Sequence, residues 1–324
     1  MPPLASVSMV ALVPAGDQSQ ASTGTSRDKS QPTILVIGLK PERLLDSEGR
    51  IDAFLEPPTQ EQGETLVEAV RSGAEAGGHV VAIVPQWLKG DGLQRLQMVQ
   101  SALDDEGMTI HETPLPPLAA AVLASLASAV APHLPSTGML VSLLPELEAE
   151  LHVFTWLGSV SGLSVPAPTI GQHMASLSPG SAFGVSSYPE PSVHKLGRDG
   201  AGIPLPRIER PTRLVISDHG GNAGWVQTVN GALGGLEVRT VEPTPNGASW
   251  WGTGKLVESV AYPVDVQRLA AELVQAADPW TCRWCRELIA RSPCPMCGHR
   301  GRPPRRRAAA AQGAHQGDQH GART

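Results

Sequence analysis

The sequence predicts an α/β protein with a mostly parallel sheet of βαβ units, as one large or two similar small domains, and a small C-terminal metal module. Three observations predict this. Short β-branched runs alternate with helix-length stretches whose apolar residues recur every three or four positions. The length, 324 residues, suffices for one large core or two smaller ones. All four cysteines fall between Cys282 and Cys297, in two Cys-x-x-Cys pairs.

Residues 1–31 are polar and rich in small side chains, which predicts disorder. Order is expected over 32–148, beginning with Thr33-Ile-Leu-Val-Ile37, an apolar run flanked by Pro32 and Pro41 that reads as a buried strand. Leu66, Val67, Val70 and Ala74 mark a helix over Gln62–Glu75, stopped by Gly77-Gly78. A strand follows at His79–Val84, then a helix carrying Leu93, Leu96, Val99 and Leu103, then a strand at Met108–His111. The run Leu118–Val130 is apolar on every side, as a buried helix would be, and falls short of the ~20 residues that span a bilayer. A strand near Met139–Leu144 completes a β-α-β-α-β-α-β order. Such alternation implies right-handed crossovers and parallel pairing.

Periodicity weakens over 149–210. Short apolar pieces at His152–Leu157 and Ala182–Val185 suit an antiparallel excursion or long loops, and Ser192–Arg210 reads as the most flexible segment. Alternation resumes over 211–277, with strands at Leu214–Ile216 and Leu236–Val241 and a candidate strand at Val257–Ala261. Helices are expected at Trp225–Leu233 and Val264–Ala276. Pro32–Gly38 is similar to Pro211–Ser217, and each strand precedes a V-x-x-V step and a Gly-Gly stop. Both an ancestral duplication and two ordinary βαβ units fit that pattern.

The net charge of −6 is unevenly distributed. Trp280–Arg307 holds eight arginines against Glu287 alone, a local +7, so the rest of the chain carries −13. An acidic body with a basic end directs anionic partners to that end. With no cysteine outside the quartet there is no disulfide framework, and free thiolates suit a reducing cytoplasm. The N-terminus has no basic segment ahead of its apolar stretch, so no signal peptide is expected.

Cys282-x-x-Cys285 and Cys294-x-x-Cys297 are separated by eight residues, and four thiolates so spaced can surround one tetrahedral ion. Gly298 follows the second pair, where a positive φ lets the chain leave without a Cβ clash. The stretch Trp280–Arg300 resembles the zinc-ribbon family, above all in Cys294-Pro-Met-Cys297-Gly298. That resemblance implies one structural Zn²⁺, with rubredoxin-like iron as the alternative, and a module of the kind that binds nucleic acid or protein. Two departures stand out: Arg286 follows the first pair where a ribbon has Gly, and the short spacer leaves minimal hairpin arms. Beyond 278–300, the tail 301–324 is basic and then low in complexity; Arg300, Arg302, Arg305, Arg306 and Arg307 are its candidate phosphate contacts.

Two features of the body invite a functional reading. In Ser217-Asp-His-Gly-Gly-Asn-Ala-Gly224 a strand passes through a Gly-rich turn into a helix start. Backbone N–H groups of Gly220, Gly221, Asn222 and Gly224 would face an anion there, with Asp218 and His219 as acid/base candidates; a tight turn capped by Asp or Asn explains the same residues. Only 4% of the chain is aromatic, so the pair Trp250-Trp251 in a Gly-rich loop stands out as a partner anchor, with core packing as the alternative. Neither a complete P-loop nor a G-x-S-x-G elbow is present. The functional expectation is a cytosolic adaptor whose ribbon docks on a protein or nucleic acid. The alternatives are an enzyme binding a phosphorylated or nucleotide-like ligand at the Gly-rich turn, and a nonspecific nucleic-acid binder acting through the tail.

Overall fold

Two β-sheets flank a middle layer of two apolar helices. The computed structural model describes residues 33–37, 51–55, 79–87, 91–102, 107–197, 205, 210–244 and 246–301. The first sheet contains β1 (Thr33–Ile37), β2 (Ile51–Leu55), β3 (Val80–Pro85) and β4 (Met108–Thr113), all parallel, in the order β2-β1-β3-β4. Every residue of β3 is buried, as an interior parallel strand with both faces covered requires. Helix α1 (Asp91–Ala102) makes the crossover from β3 to β4.

The middle layer is α2 (Pro117–Val130), a 3₁₀ turn (Ala131–His133) and α3 (Thr137–Ala149). Pro117 opens α2 at a position where a missing N–H costs nothing, and every residue of the helix except Ala129 is buried. One core joins Val81 and Ile83 of the first sheet, the apolar residues of α2 and α3, and Val153, Val215 and Val260 of the second sheet. A half-buried pair, His111 Nε2 to Glu148 Oε1 at 3.0 Å, ties β4 to α3.

The expected strand near Met139–Leu144 is instead part of α3. A short apolar run does not distinguish the two periodicities by itself. Ser136 decides locally, because its hydroxyl accepts from Met139 N–H at 3.1 Å and caps a helix.

The second sheet has the order β7-β6-β5-β10-β8-β9: β5 (His152–Leu157), β6 (Phe183–Tyr188), β7 (Ser192–Lys195), β8 (Thr212–Asp218), β9 (Glu237–Val241) and β10 (Leu256–Pro263). Only β8 and β9 pair in parallel; β10 runs antiparallel to both of its neighbours. The fold is therefore α/β, but its larger sheet is mixed rather than mostly parallel. Hydrophobic periodicity is blind to strand direction, which the crossovers set. The segment Ser192–Lys195, expected to be flexible, is edge strand β7 on β6. Strand β2 is not among the strands expected from the sequence.

Helix α4 (Ile170–Ser176) lies between β5 and β6, α5 (Ala223–Ala232) joins β8 to β9, and α6 (Gly247–Trp251) precedes β10. After α7 (Val266–Ala276) comes a hairpin of two-residue arms, β11 (Trp280–Thr281) and β12 (Leu288–Ile289). The two similar strands β1 and β8 lie in different sheets, the first between two parallel partners and the second between one parallel and one antiparallel. The expected N-terminal disorder, the helix over 62–75 and the tail beyond Gly301 lie outside the described residues. Among the described residues no helix is long and apolar enough to cross a membrane.

Candidate functional site

A polar row crosses the middle of the second sheet. Glu258 of β10 stands opposite Ser217 of β8 on one side and Thr155 of β5 on the other. These residues share a face with Val260, Val215 and Val153, so the row looks toward α2 and α3. Glu258 is 1% exposed, Ser217 and Thr155 fully buried. A carboxylate so placed must be held by donors. Trp251 Nε1–H donates to its Oε1 at 2.9 Å, and the Thr244 hydroxyl donates to its Oε2.

His219 completes the cluster. Its Nε2 lies 3.4 Å from Glu258 Oε2, 3.2 Å from Ser217 Oγ and 3.5 Å from Thr244 Oγ1. Proton counting sets the tautomer. The Ser217 hydroxyl donates to Glu242 O (3.2 Å) while accepting from Thr244 N–H (3.2 Å), and the Thr244 hydroxyl is committed to Glu258. No hydroxyl proton is left for Nε2, so Nε2 carries its own hydrogen and points it into the carboxylate cluster. In the neutral ring Nδ1 then bears the lone pair. Nδ1 has no hydrogen-bond partner among the described residues, nor is it among the buried unpartnered atoms. The arrangement offers a base or hydrogen-bond acceptor on its open side, with a buried negative charge behind it.

Local sequence builds this geometry. Gly247 lets α6 close over the network: a Cβ there would lie 2.5 Å from Thr244 Oγ1, 2.9 Å from Glu258 Oε2 and 2.9 Å from His219 Cε1. Gly252 ends α6 at φ 66° and packs backbone to backbone on Gly162. Thr155 Oγ1, though fully buried beside Glu258, makes no hydrogen bond.

Asp218 and His219, nominated together, part here. Asp218 is exposed, and its Oδ1 accepts from Gly221 N–H at 2.8 Å; Asn222 Oδ1 accepts from Gly224 N–H at 2.9 Å and caps α5. Two of the amides that an anion would need are thus occupied. Gly220 supplies a positive φ of 74°, and a Cβ on Gly221 would lie 2.5 Å from Val257 Cγ2. Trp251 is fully buried with its indole on Glu258, and Trp250 is half-buried, edge-on to it at 4.3 Å. Trp251 is therefore core, and Trp250 packs against it half-exposed.

Sequence reasoning missed Glu258, Thr244, Ser217 and Thr155. One signal was present: Glu258 is a lone acid inside the otherwise uncharged run Leu256–Pro263, and such an acid is buried only when partnered.

The four cysteines do converge. Their Sγ atoms all lie within 4.8 Å of one another, with Cys282 to Cys297 and Cys285 to Cys294 both 3.7 Å. Two similar turns present them. Arg286 N–H donates to Cys282 O (3.1 Å) and Gly298 N–H to Cys294 O (2.8 Å), while Cys282 N–H reaches Glu287 O and Cys294 N–H reaches His299 O, each at 2.8 Å. Arg286 has φ 65° and Gly298 φ 70°, so the arginine adopts the left-handed conformation that its glycine counterpart takes freely. Burial pushes the Cys282 thiol up, but the N–H groups of Trp284 and Cys285 and the neighbouring thiols outweigh it and bring it down to about 7. Burial raises the Cys285 and Cys294 thiols; the other three thiols add to this at Cys285, whereas at Cys294 the Cys297 thiol adds to it and Cys285 opposes it.

No family model matches the chain, and no curated protein matches it in sequence. Solved structures of similar shape include a fatty-acid-binding DegV family protein from Thermus thermophilus, at 13% identity and TM-score 0.49 over 72% of this chain and 100% of that one. A DegV family protein from Corynebacterium glutamicum is similar at 11% identity and TM-score 0.47, over 72% and 97%. The fatty acid kinase (Fak) B3 protein of Streptococcus pneumoniae, loaded with linoleic acid, is similar at 9% identity and TM-score 0.43, over 72% and 100%. These are likenesses of shape.

The expected adaptor, with a protein or nucleic acid as its partner, is corrected. The ribbon-like hairpin that was to dock elsewhere is packed against the chain's own α3. Of the proposed anchors, Trp251 is interior and Trp250 half-buried, and two of the four amides of the enzyme alternative's anion cradle are taken by Asp218 and Asn222. Arg300 is exposed; Arg302, Arg305, Arg306 and Arg307 lie outside the described residues.

Proposed function

We propose that the chain binds a carboxylic acid with an apolar tail, of the fatty-acid class, with the head group at His219. The observation that carries this reading is the ring's polarity: Nε2–H is committed to the Glu258 cluster, and Nδ1 has no hydrogen-bond partner among the described residues. A ligand carboxylate at Nδ1 meets an imidazolium whose charge Glu258 balances from behind. The surroundings suit a tail. Leu157, Phe183, Val185, Trp251 and Leu256 form an apolar cluster beside the polar row, and no Asp, Glu, Lys or Arg occurs from Leu151 to Pro189. The unpartnered Thr155 hydroxyl supplies a further donor on the same face. Fatty acids, named for the similar structures, are the first acids to test.

Delipidated protein is titrated with a fluorescent fatty acid, which oleic acid then displaces. His219→Ala removes the charged hydrogen bond, about 1.5–3 kcal/mol, and weakens binding roughly 10- to 100-fold. Absence of saturable binding by the parent protein overturns the proposal.

We propose further that Cys282, Cys285, Cys294 and Cys297 hold one structural Zn²⁺ in a zinc-ribbon-like module. A tetrahedron with Zn–S bonds of about 2.3 Å has edges of about 3.8 Å, and the Cys282–Cys297 and Cys285–Cys294 Sγ separations are both 3.7 Å. Four thiolates close the shell, so the ion's contribution is structural. Iron fits the same donor set, and metal analysis of the purified reduced protein separates the two.

A further inference from the structure

We infer that the metal module is a latch on α3, so that occupancy of the four-cysteine site sets the stability of the whole α/β body. The inference rests on the metal reading above. The module holds little of its own: β11 and β12 have two residues each, and its core is Trp280, Ile289 and cysteine side chains. A segment of this size does not order itself without a metal.

Its position is specified by α3. One edge of β12 pairs with β11, and side chains of the helix region satisfy the other. The Ser136 hydroxyl donates to Leu288 O at 2.9 Å, Ala290 N–H donates to Ser142 Oγ at 3.1 Å, and Arg291 pairs with Glu146 at 2.8 Å. Gly138, Ser142 and Glu146 recur at i, i+4 and i+8, so one helical face meets the module along its length. Gly138 makes the close approach possible, since a Cβ there would lie 2.6 Å from Leu288 O and 3.0 Å from Ile289 Cγ2.

The second knuckle also reaches the body. Thr109 of β4 donates its hydroxyl to Met296 Sδ at 3.6 Å, and Leu288, Ala290 and Met296 all pack against the main core. An ion that draws Cys282 and Cys285 onto Cys294 and Cys297 therefore holds β12 and Met296 on α3 and β4 together. Without the ion the two halves lose their common anchor, and this face of the middle layer loses its cover.

The test uses the full chain. Zinc content is measured, the metal is removed with a chelator under reducing conditions, and unfolding and amide exchange of 137–149 are followed in both states. The expected result is a lower Tm for the main transition and exchange in α3 faster by about tenfold or more. Gly138→Val, which leaves every cysteine in place, is expected to retain zinc, to start from a lower Tm and to lose less on chelation than the parent. Ser142→Ala is the milder variant should Gly138→Val not fold. Bound zinc whose removal leaves Tm and α3 exchange unchanged, or losses that simply add, overturns the latch alone. Protein that takes up no metal overturns the metal reading and the latch with it.

Discussion

Replacing Glu258 by Gln separates what the buried carboxylate does for the fold from what it does for a ligand. The side chains have nearly the same shape, so packing is preserved and only the charge and one acceptor change. Oε1 receives Trp251 Nε1–H, and Oε2 receives the Thr244 hydroxyl with His219 Nε2 3.4 Å away. If Oε1 becomes NH₂ it faces the Trp251 N–H, and if Oε2 does it faces the His219 Nε2–H while the Thr244 hydroxyl must turn to accept, at a cost of about 1–3 kcal/mol. Removing a buried charge recovers part of its desolvation. The net loss of stability is therefore modest, about 1–2 kcal/mol, read as a lower urea midpoint at unchanged slope. Binding should suffer more. Without the carboxylate, nothing fixes the hydrogen on Nε2 or balances an imidazolium, and fatty-acid affinity falls roughly 10- to 100-fold. Ring-nitrogen chemical shifts report the tautomer directly. Glu258→Gln protein that loses stability yet keeps its affinity, with hydrogen still on Nε2, would refute the assigned role and leave Glu258 a structural residue.

Two further substitutions test the local geometry. Gly247→Ala drives a methyl into Thr244, Glu258 and His219, so stability should fall by about 1–3 kcal/mol and fatty-acid binding with it. Urea unfolding that matches the parent would show that α6 does not sit as described. Arg286→Gly should act in the opposite sense: it relieves a left-handed residue at φ 65°, a strain of roughly 1–2 kcal/mol, partly offset by the backbone entropy of glycine. Slower loss of zinc to a competing chelator is the expected outcome, and faster loss would place the constraint elsewhere in the knuckle.

How much of this was legible depended on how local the cause was. Leu118–Val130 reads as a buried helix because it has no polar face to expose, and the structure buries it between two sheets. The cysteine spacing brings four thiols together because each pair is closed by its own turn. The run Met139–Leu144 is helix rather than the expected strand because apolar density alone suits either period, and the deciding cap at Ser136 lies outside it. His219 could be nominated from its place after a strand. Its partner could not, since Glu258 reaches it only through the antiparallel register of β10 on β8.

By itself the sequence determined the α/β class, most of the strands and helices, and the gathering of the cysteines, all consequences of contacts between near neighbours. Only the tertiary structure decided that β10 inserts antiparallel between β5 and β8, that His219 is backed by Glu258, and that the cysteine module rests on α3. Each of these joins residues far apart in the chain, where strand direction and cross-strand register select the partner and neither leaves a mark on local periodicity.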